Sequence, residues 1–266
     1  MFSALYKYTE PKKEIPRRVY LTVGALVGLI VLGIWSALAY SEYVESDFLP
    51  TPGATVLAFI DMLRDGTLAD NTWASFVEIM SGFLLSSIIA IPLGVLMGSF
   101  RIVQAAVEPI TNFFRYLPIS ALIPLLILWI GIGIEEKIAI IFLGTFFNQL
   151  IMVADASAAV SADLLDVSYT LGANRRLVVT KVLIPATMPG IMDTLRVSCG
   201  VAWTYVVIAE LVASHEGLGY MILNASRGLY TDQIFVGIVV LGTLGLLFDQ
   251  ALRLLKLWLL PWSSTT

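Results

Sequence analysis

The sequence predicts an all-α, polytopic membrane helix bundle with six transmembrane helices, and three observations carry that prediction. The chain has 266 residues, 58% of them hydrophobic and 14% charged, with mean hydropathy +0.86, too apolar for a water-soluble globular domain. Six stretches hold the roughly 20 predominantly apolar residues that a helix needs to cross a bilayer. Lys and Arg crowd into alternate connections, the pattern that fixes which side of the membrane each connection occupies.

The elements follow in chain order. Residues 1–18 form a cytoplasmic tail rich in Lys and Arg. The first span, 19–40, ends in an Ala37-Leu38-Ala39 that imitates a signal cleavage site. Its apolar run exceeds the roughly 7–15 residues of a signal core, so a retained anchor is predicted. Segment 41–71 carries Glu42, Glu45, Asp47, Asp61, Asp65 and Asp70 and suits the outer side. Within it Leu49-Pro50-Thr51-Pro52 stops any helix. Residues 53–64 then predict a short amphipathic helix at the outer interface, with Val56, Leu57, Ile60 and Leu63 on one face.

Further spans are predicted at about 73–98, 106–130, 137–158, 190–213 and 234–260. The third contains Pro109, Pro118 and Pro124. Their missing N–H groups leave the carbonyls of Ala105, Phe114 and Ser120 without their usual partners. Membrane helices tolerate that where they line protein or water, so the third span is the predicted pathway helix. Gly200, Trp203 and Thr204 of the fifth span are placed facing it. Segment 214–233 is too polar to span and is predicted to pack on the bundle as a partly re-entrant helix. One transmembrane domain, 19–260, and a cytoplasmic tail, 261–266, complete the chain, with no internal repeat or soluble domain.

Orientation follows from the basic residues. An inside N-terminus puts Lys7, Lys12, Lys13, Arg17, Arg18, Arg101, Arg175, Arg176, Lys181, Arg253 and Lys256 in the cytoplasm. Only Arg64, Lys137 and Arg227 then fall outside, with Arg115 and Arg196 within or beside spans. Both termini and the polar insert at 163–189 are therefore expected inside.

That insert is the most informative stretch. Asp166 to Pro185 reads DVSYTLGANRRLVVTKVLIP, polar and basic between two apolar spans. Two short helices are expected: Asp163 or Asp166 capping the first, Gly172 breaking it, Asn174 starting the second and Pro185 forbidding its continuation. The spacing resembles the cytoplasmic coupling loop of bacterial ABC-importer permeases, E-A-A-x3-G-x9-I-x-L-P. Asp166 stands for the Glu, Val167 and Ser168 for the alanines, and Val182 and Ile184 for the Ile and Leu.

From Phe48 onward the chain resembles the nitrate/sulfonate/taurine group of these permeases. Phe48-Leu49-Pro50-Thr51-Pro52, Ile91-Pro92-Leu93-Gly94 and the run Pro124 to Gly133 carry the likeness, with Trp203, Ala209-Glu210-Leu211, Gly217-Leu218-Gly219-Tyr220 and Thr231-Asp232. The Gly-Leu-Gly-Tyr and Thr-Asp pieces are more similar to sulfonate and taurine permeases than to nitrate or bicarbonate ones. The resemblance implies a type I ABC importer permease fold in the bacterial inner membrane. It also implies cytoplasmic ATPase subunits, a second and identical permease copy, and a periplasmic or lipid-anchored solute-binding protein. Asp166, Gly172, Ala173, Arg175, Arg176 and Pro185 would then couple to the ATPase.

For the route itself the candidates are Arg115, Trp203, Thr204 and Glu210. A mid-membrane charge such as Arg115 costs about 2.5–3.5 kcal/mol on insertion scales, so it should face a cavity or a partner. It would attract an anionic solute, snorkel to the cytoplasmic interface or hold carbonyls that the prolines release. Glu210 is a candidate outer gate, a bond to the re-entrant segment through Arg227, or a solvated or capping carboxylate at the helix end. Glu78, Asp155 and Asp249 read as structural, Asp249 pairing with Arg253 four residues on. His215 reads as a surface residue.

Several function classes are disfavoured. No Gly-x4-Gly-Lys-Ser/Thr phosphate loop occurs, so ATP hydrolysis is expected on another chain. A single Cys199 and a single His215 supply neither a disulfide framework nor a metal site, and no cofactor or nucleic-acid partner is implied. An intramembrane enzyme would need paired acids or a Ser/His set. An ion-coupled carrier would need paired acids or broken helices in two matching halves.

Overall fold

The computed structural model describes residues 15–41, 43–45 and 47–263. Lys7, Lys12, Lys13, Glu42 and the last three residues lie outside them. The described chain contains helices and no strand. In order these are α1 (Arg17–Tyr40), α2 (Pro52–Arg64), α3 (Thr67–Ser99), α4 (Arg101–Phe114), α5 (Ile119–Ile130), α6 (Ile134–Ala158) and α7 (Ala162–Thr170). Then come α8, running from Arg175 to Ala213 through a π-helical turn, α9 (Leu218–Arg227) and α10 (Thr231–Leu259), with a short 3-10 turn at Pro261–Ser263.

The bundle is organised around α3 and α6, which run parallel. A Cβ on Gly82 would strike Ile141, on Gly94 it would strike Val153, and on Gly98 it would come 2.1 Å from the Ala154 carbonyl oxygen. Gly94 and Gly98 form a G-x3-G stripe, which lets two backbones approach without side chains between them. Polar side chains bind the same seam. Ser86 Oγ donates to Gln149 Oε1 at 2.6 Å, Gln149 Nε2 donates to Ser87 Oγ at 3.1 Å, and Ser99 and Ser157 meet at 2.8 Å.

α8 packs antiparallel to α6, with the Tyr205 ring against Gly144 and Ala156 against Gly190. α10 packs antiparallel to α8, tied by Arg196 to Asp249 and Lys256 to Asp193. Asp249 therefore takes Arg196, 53 residues away, and not its helix neighbour Arg253. An apolar core of Ile79, Phe83, Ile141, Cys199, Ala202, Trp203 and Val206 fills the space between α3, α6 and α8.

Because α3 and α6 are parallel, the chain between them must return across the bundle. It does so through α4 and α5, bent by 95°. The single span predicted at 106–130 is thus two helices. Pro118 lies at the break, where its ring would clash with the helical carbonyl of Phe114; that oxygen instead accepts from Leu117 N–H at 3.1 Å. Pro109 and Pro124 sit inside α4 and α5 without ending them.

Long apolar helices run over Arg17–Tyr40, Thr67–Ser99, Ile134–Ala158 and Thr231–Leu259, and the helix over the expected fifth span begins at Arg175 and not near 190. α1 stands apart from the bundle. It is fastened near one end, where Trp35 Nε1 donates to the Pro50 carbonyl and the indole stacks on Phe235. α2 starts as the sequence suggests: Thr51 caps it by accepting from Ala54 N–H, with Pro52 in the first turn. It buries Thr55, Ala58 and Met62, leaving Val56, Leu57, Ile60 and Leu63 on the outer surface. Asp65 accepts from Thr67 N–H at the start of α3, which holds its carboxyl below the ordinary aspartate pKa.

Two ends of the bundle can now be distinguished. The loop end carries residues 159–174, the C-termini of α3, α6 and α10 and the N-terminus of α8. The far end carries α2, α9 and residues 214–218.

Candidate functional site

At the loop end the chain builds a small rigid platform. α7 closes in a Schellman turn: Ala173 N–H donates to Ser168 O at 3.1 Å and Gly172 N–H to Tyr169 O at 2.9 Å. Gly172 has φ +88°, the left-handed conformation this turn demands and a side chain resists. Asn174 then caps the next helix, accepting from Leu177 N–H at 2.9 Å. Arg175 lies over the Phe100 ring at 4.9 Å, fastening the platform to the end of α3. A cavity of about 200 Å³ lies beneath, between Gly98, Ser157, Tyr169 and Val178.

Three expectations for this segment need correction. The N-cap of α7 is Ser161; Asp163 lies in the first turn and Asp166 sits inside the helix, exposed, where it cannot cap. Pro185 does not end the second helix. The π-helical turn Val178–Leu183 precedes it, with Ile184 N–H reaching back to Val179 O, so Pro185 enters the first turn of a new α-helical stretch. A proline there lacks a donor that the helix does not use. Arg175 to Val212 is consequently one rod of 38 residues, about 57 Å at 1.5 Å rise per residue.

The loop's outward face is apolar. Leu164, Val167 and Leu171 are 46%, 57% and 83% exposed, and their spacing puts them on one side of α7. Arg175, Arg176 and Lys181 add positive charge around it, all exposed.

A polar groove runs from this end into the bundle. α4 is amphipathic in the sense suited to a bilayer: Ile102, Ile110 and Phe113 point outward, while Gln104, Glu108 and Asn112 point inward. With Arg101 they line a cavity of about 290 Å³ facing Ile151 and Asp155 of α6. A second cavity, about 330 Å³, continues from Ile151 and Asp155 to Asn148, Thr145, Ser198 and Arg115. Arg115 caps α4 at the break, donates to Tyr116 Oη at 2.8 Å and, among the described residues, has no carboxylate partner. It therefore faces a cavity, as its charge requires.

At the far end, Glu210 is sealed and holds residues 214–219. It accepts from Ser75 Oγ and from Gly219 N–H, both at 2.5 Å. Ser75 Oγ in turn accepts from Leu218 N–H, and Asn71 Oδ1 accepts from Gly217 N–H. Beside it Glu78 pairs with Lys137 at 2.6 Å. Glu210 thus binds the segment through backbone N–H groups, and Arg227 stays exposed.

Of the four route candidates, the structure puts Arg115 on the groove. Thr204 is on an exposed face of α8, three residues and just under one turn beyond Val201, which lines the same cavity. Trp203 lies on the other side, buried against Gly245 and Phe248 of α10. Glu210 is walled off by α3 and α9. Neither touches the groove. Sequence reasoning missed Asn148, Ser198 and Asp155 as groove residues; the signal available was the i, i+7 spacing of Asn148 and Asp155 in an apolar helix.

A family model for the inner membrane component of binding-protein-dependent transport systems matches residues 90–259. A putative ABC transporter permease of Methanocaldococcus jannaschii is 37% identical, covering 92% of this chain and 91% of the relative. The putative aliphatic sulfonates transport permease SsuC of Bacillus subtilis is 33% identical, covering 96% and 92%. The taurine transport system permease TauC of Escherichia coli is 31% identical, covering 93% and 91%. A solved inward-facing MetNI methionine ABC transporter superposes with TM-score 0.55 at 21% identity, over 68% of this chain and 93% of that one. The last likeness concerns the fold.

Proposed function

We propose a function from the premise that this chain belongs to the family of inner membrane components of binding-protein-dependent transport systems. It is a multi-pass permease subunit of an ABC importer, a transport protein and not an enzyme. ATP is hydrolysed by separate subunits that dock on α7 and its Schellman turn in the cytoplasm. Asp166, Gly172, Ala173, Arg175 and Arg176 shape or surround that surface, and Pro185 starts the rod behind it. Both termini share the cytoplasmic side, and a second, identical permease copy completes the channel. A periplasmic or lipid-anchored binding protein delivers a small anionic solute, a sulfonate or taurine, which passes Arg115.

The observation that carries the docking is the exposed Leu164, Val167 and Leu171 stripe held on a rigid turn. An exposed apolar stripe outside the bilayer has no lipid to cover it and needs a protein. Motion of the docked ATPase then moves α8. Near its far end that helix carries Glu210, which grips the far-end segment 214–219, so one rod links the ATPase surface to the opposite face. Alternating access requires such a differential linkage between two states.

The test is co-purification of the permease with its ATPase subunit in nanodiscs. Val167→Glu with Leu171→Glu is expected to abolish association while leaving insertion and the melting temperature unchanged. Retained association would refute the docking surface.

A further inference from the structure

The rod that begins at Arg175 is not uniform. Between Val178 and Leu183 its turn is π-helical, and Ile184 N–H donates to Val179 O, five residues back in place of four. Pro185 supplies a reason for the wider turn. In an unbroken α-helix its ring would strike the carbonyl of Lys181, four residues earlier, and a turn one residue wider relieves that clash. Pro189, also inside the helix, withholds a second donor one turn further on. The rod is therefore short of backbone bonds just where it leaves the platform.

Beneath this turn the packing is incomplete. Val178 and Leu183 are buried, yet both line the cavity of about 200 Å³ under the platform, and α7 forms another wall through Leu165 and Tyr169. Such space forfeits the contacts its lining would otherwise make. It also gives Val178 and Val179 room to repack in another register. The chain is fastened on either side of the turn. Arg175 lies over the Phe100 ring, a Cβ on Gly190 would come 2.6 Å from Ala156 Cβ, and Ile191 packs with Val95 and Val153. Movement of the platform against the rod is thus concentrated between Arg175 and Gly190.

Two costs oppose each other here. The π-helical turn leaves a void, and an α-helical turn would strain Pro185. Resting on the reading that an ATPase docks on α7, we infer that Val178–Leu183 is a register switch with two states. One is the π-helical turn; the other is a continuous α-helix, with Val178 and Val179 repacked into the cavity. The two differ by one residue of register, about 1.5 Å along the axis. A push on α7 is taken up by the switch, which sets how far α8 and Glu210 are displaced. Packed elements with two discrete arrangements amplify small shifts in this way.

The test uses the permease–ATPase complex in nanodiscs, nucleotide-free and vanadate-trapped, with hydrogen exchange resolved over α7 and residues 175–190. Two variants remove the choice of register. Deleting Thr180, an exposed residue whose hydroxyl bonds the Arg176 carbonyl of its own helix, takes out the extra residue and leaves an α-helical turn. Pro185→Ala keeps the chain length and removes the clash that disfavours the α-helix. In wild type the amides of residues 180–184 should differ about tenfold in exchange rate between the two conditions. Both variants should keep the ATPase, lose that difference and take up solute about tenfold more slowly. Wild-type uptake by Pro185→Ala, or an exchange change in α7 on trapping with none at 180–184, would leave the docking surface standing and overturn the switch. No association, with no change at either place, would remove the docking surface and the switch with it. If the deletion unfolds the protein, Pro185→Ala decides by the same two readouts.

Discussion

Lys137 Nζ lies 2.6 Å from Glu78 Oε1, and both side chains are sealed between α3 and α6. The pair occupies the far end of the glycine-lined seam and fixes the parallel register of its two helices. Breaking such a pair leaves one charge buried and alone, at about 3–5 kcal/mol. Lys137→Met and Glu78→Gln should therefore each lower the melting temperature of the purified protein markedly. The double variant Glu78→Leu/Lys137→Met should recover much of the loss, because no uncompensated charge remains. A double variant less stable than both singles would show that the pair contributes more than mutual neutralisation.

The seam itself gives a second expectation. A methyl group at Gly98 would meet the Ala154 carbonyl oxygen at 2.1 Å, backbone that cannot turn aside. Gly98→Ala should destabilise by about 1–3 kcal/mol, the usual range for overpacking. Gly200→Ala, where nothing lies within 4 Å, should leave melting unchanged or raise it slightly. Equal effects at both positions would mean that helix propensity, and not the close approach, decides.

How far the sequence alone could reach is clear from these same residues. Apolar runs mark most of the long helices, and a glycine followed by a capping asparagine marks the loop turn, because both signals are local. The Glu78 to Lys137 pair is 59 positions apart in the chain, and Lys137 next to Glu135 and Glu136 reads as a solvated outer charge. Likewise Asp249 has a plausible helix partner in Arg253 but meets Arg196 instead. Pro185 misled for another reason: a π-helical turn absorbs it, and nothing in residue spacing distinguishes that turn from a break. The third span was legible as proline-rich but not as bent, since of its three prolines only Pro118 falls where the chain turns.

The loop turn supplies a third expectation. At Gly172 a Cβ would meet no atom, so any penalty is purely that of a side chain at φ +88°. Gly172→Leu should cost about 1–2 kcal/mol locally and lose ATP-driven uptake, with normal membrane insertion. Gly172→Asn should retain most of the uptake, since asparagine tolerates this conformation. Equal loss in both variants would move the requirement from backbone shape to the absence of a side chain at the docking surface.

The last expectation concerns the far end. Glu210 accepts from Ser75 Oγ and Gly219 N–H, while Ser75 accepts from Leu218 N–H. Glu210→Gln puts an amide in a place built for two acceptor oxygens. If its NH2 turns toward Gly219 N–H, two donors face each other; if toward Ser75, that hydroxyl loses the acceptor for its own O–H. Either way one buried donor goes unpaired, at about 1–3 kcal/mol. The segment 214–219 should then exchange its amide hydrogens faster, with α4 and α7 unaffected. Because α8 carries Glu210 at one end and Arg175 at the other, the variant should also retain ATPase docking while its ATP hydrolysis becomes less dependent on the binding protein. Hydrogen exchange resolved by peptide, together with ATPase rates with and without binding protein, checks both halves. Faster exchange with unchanged stimulation would reduce Glu210 to a structural tie. Unchanged exchange would mean that Asn71 and Ser75 hold the segment without it.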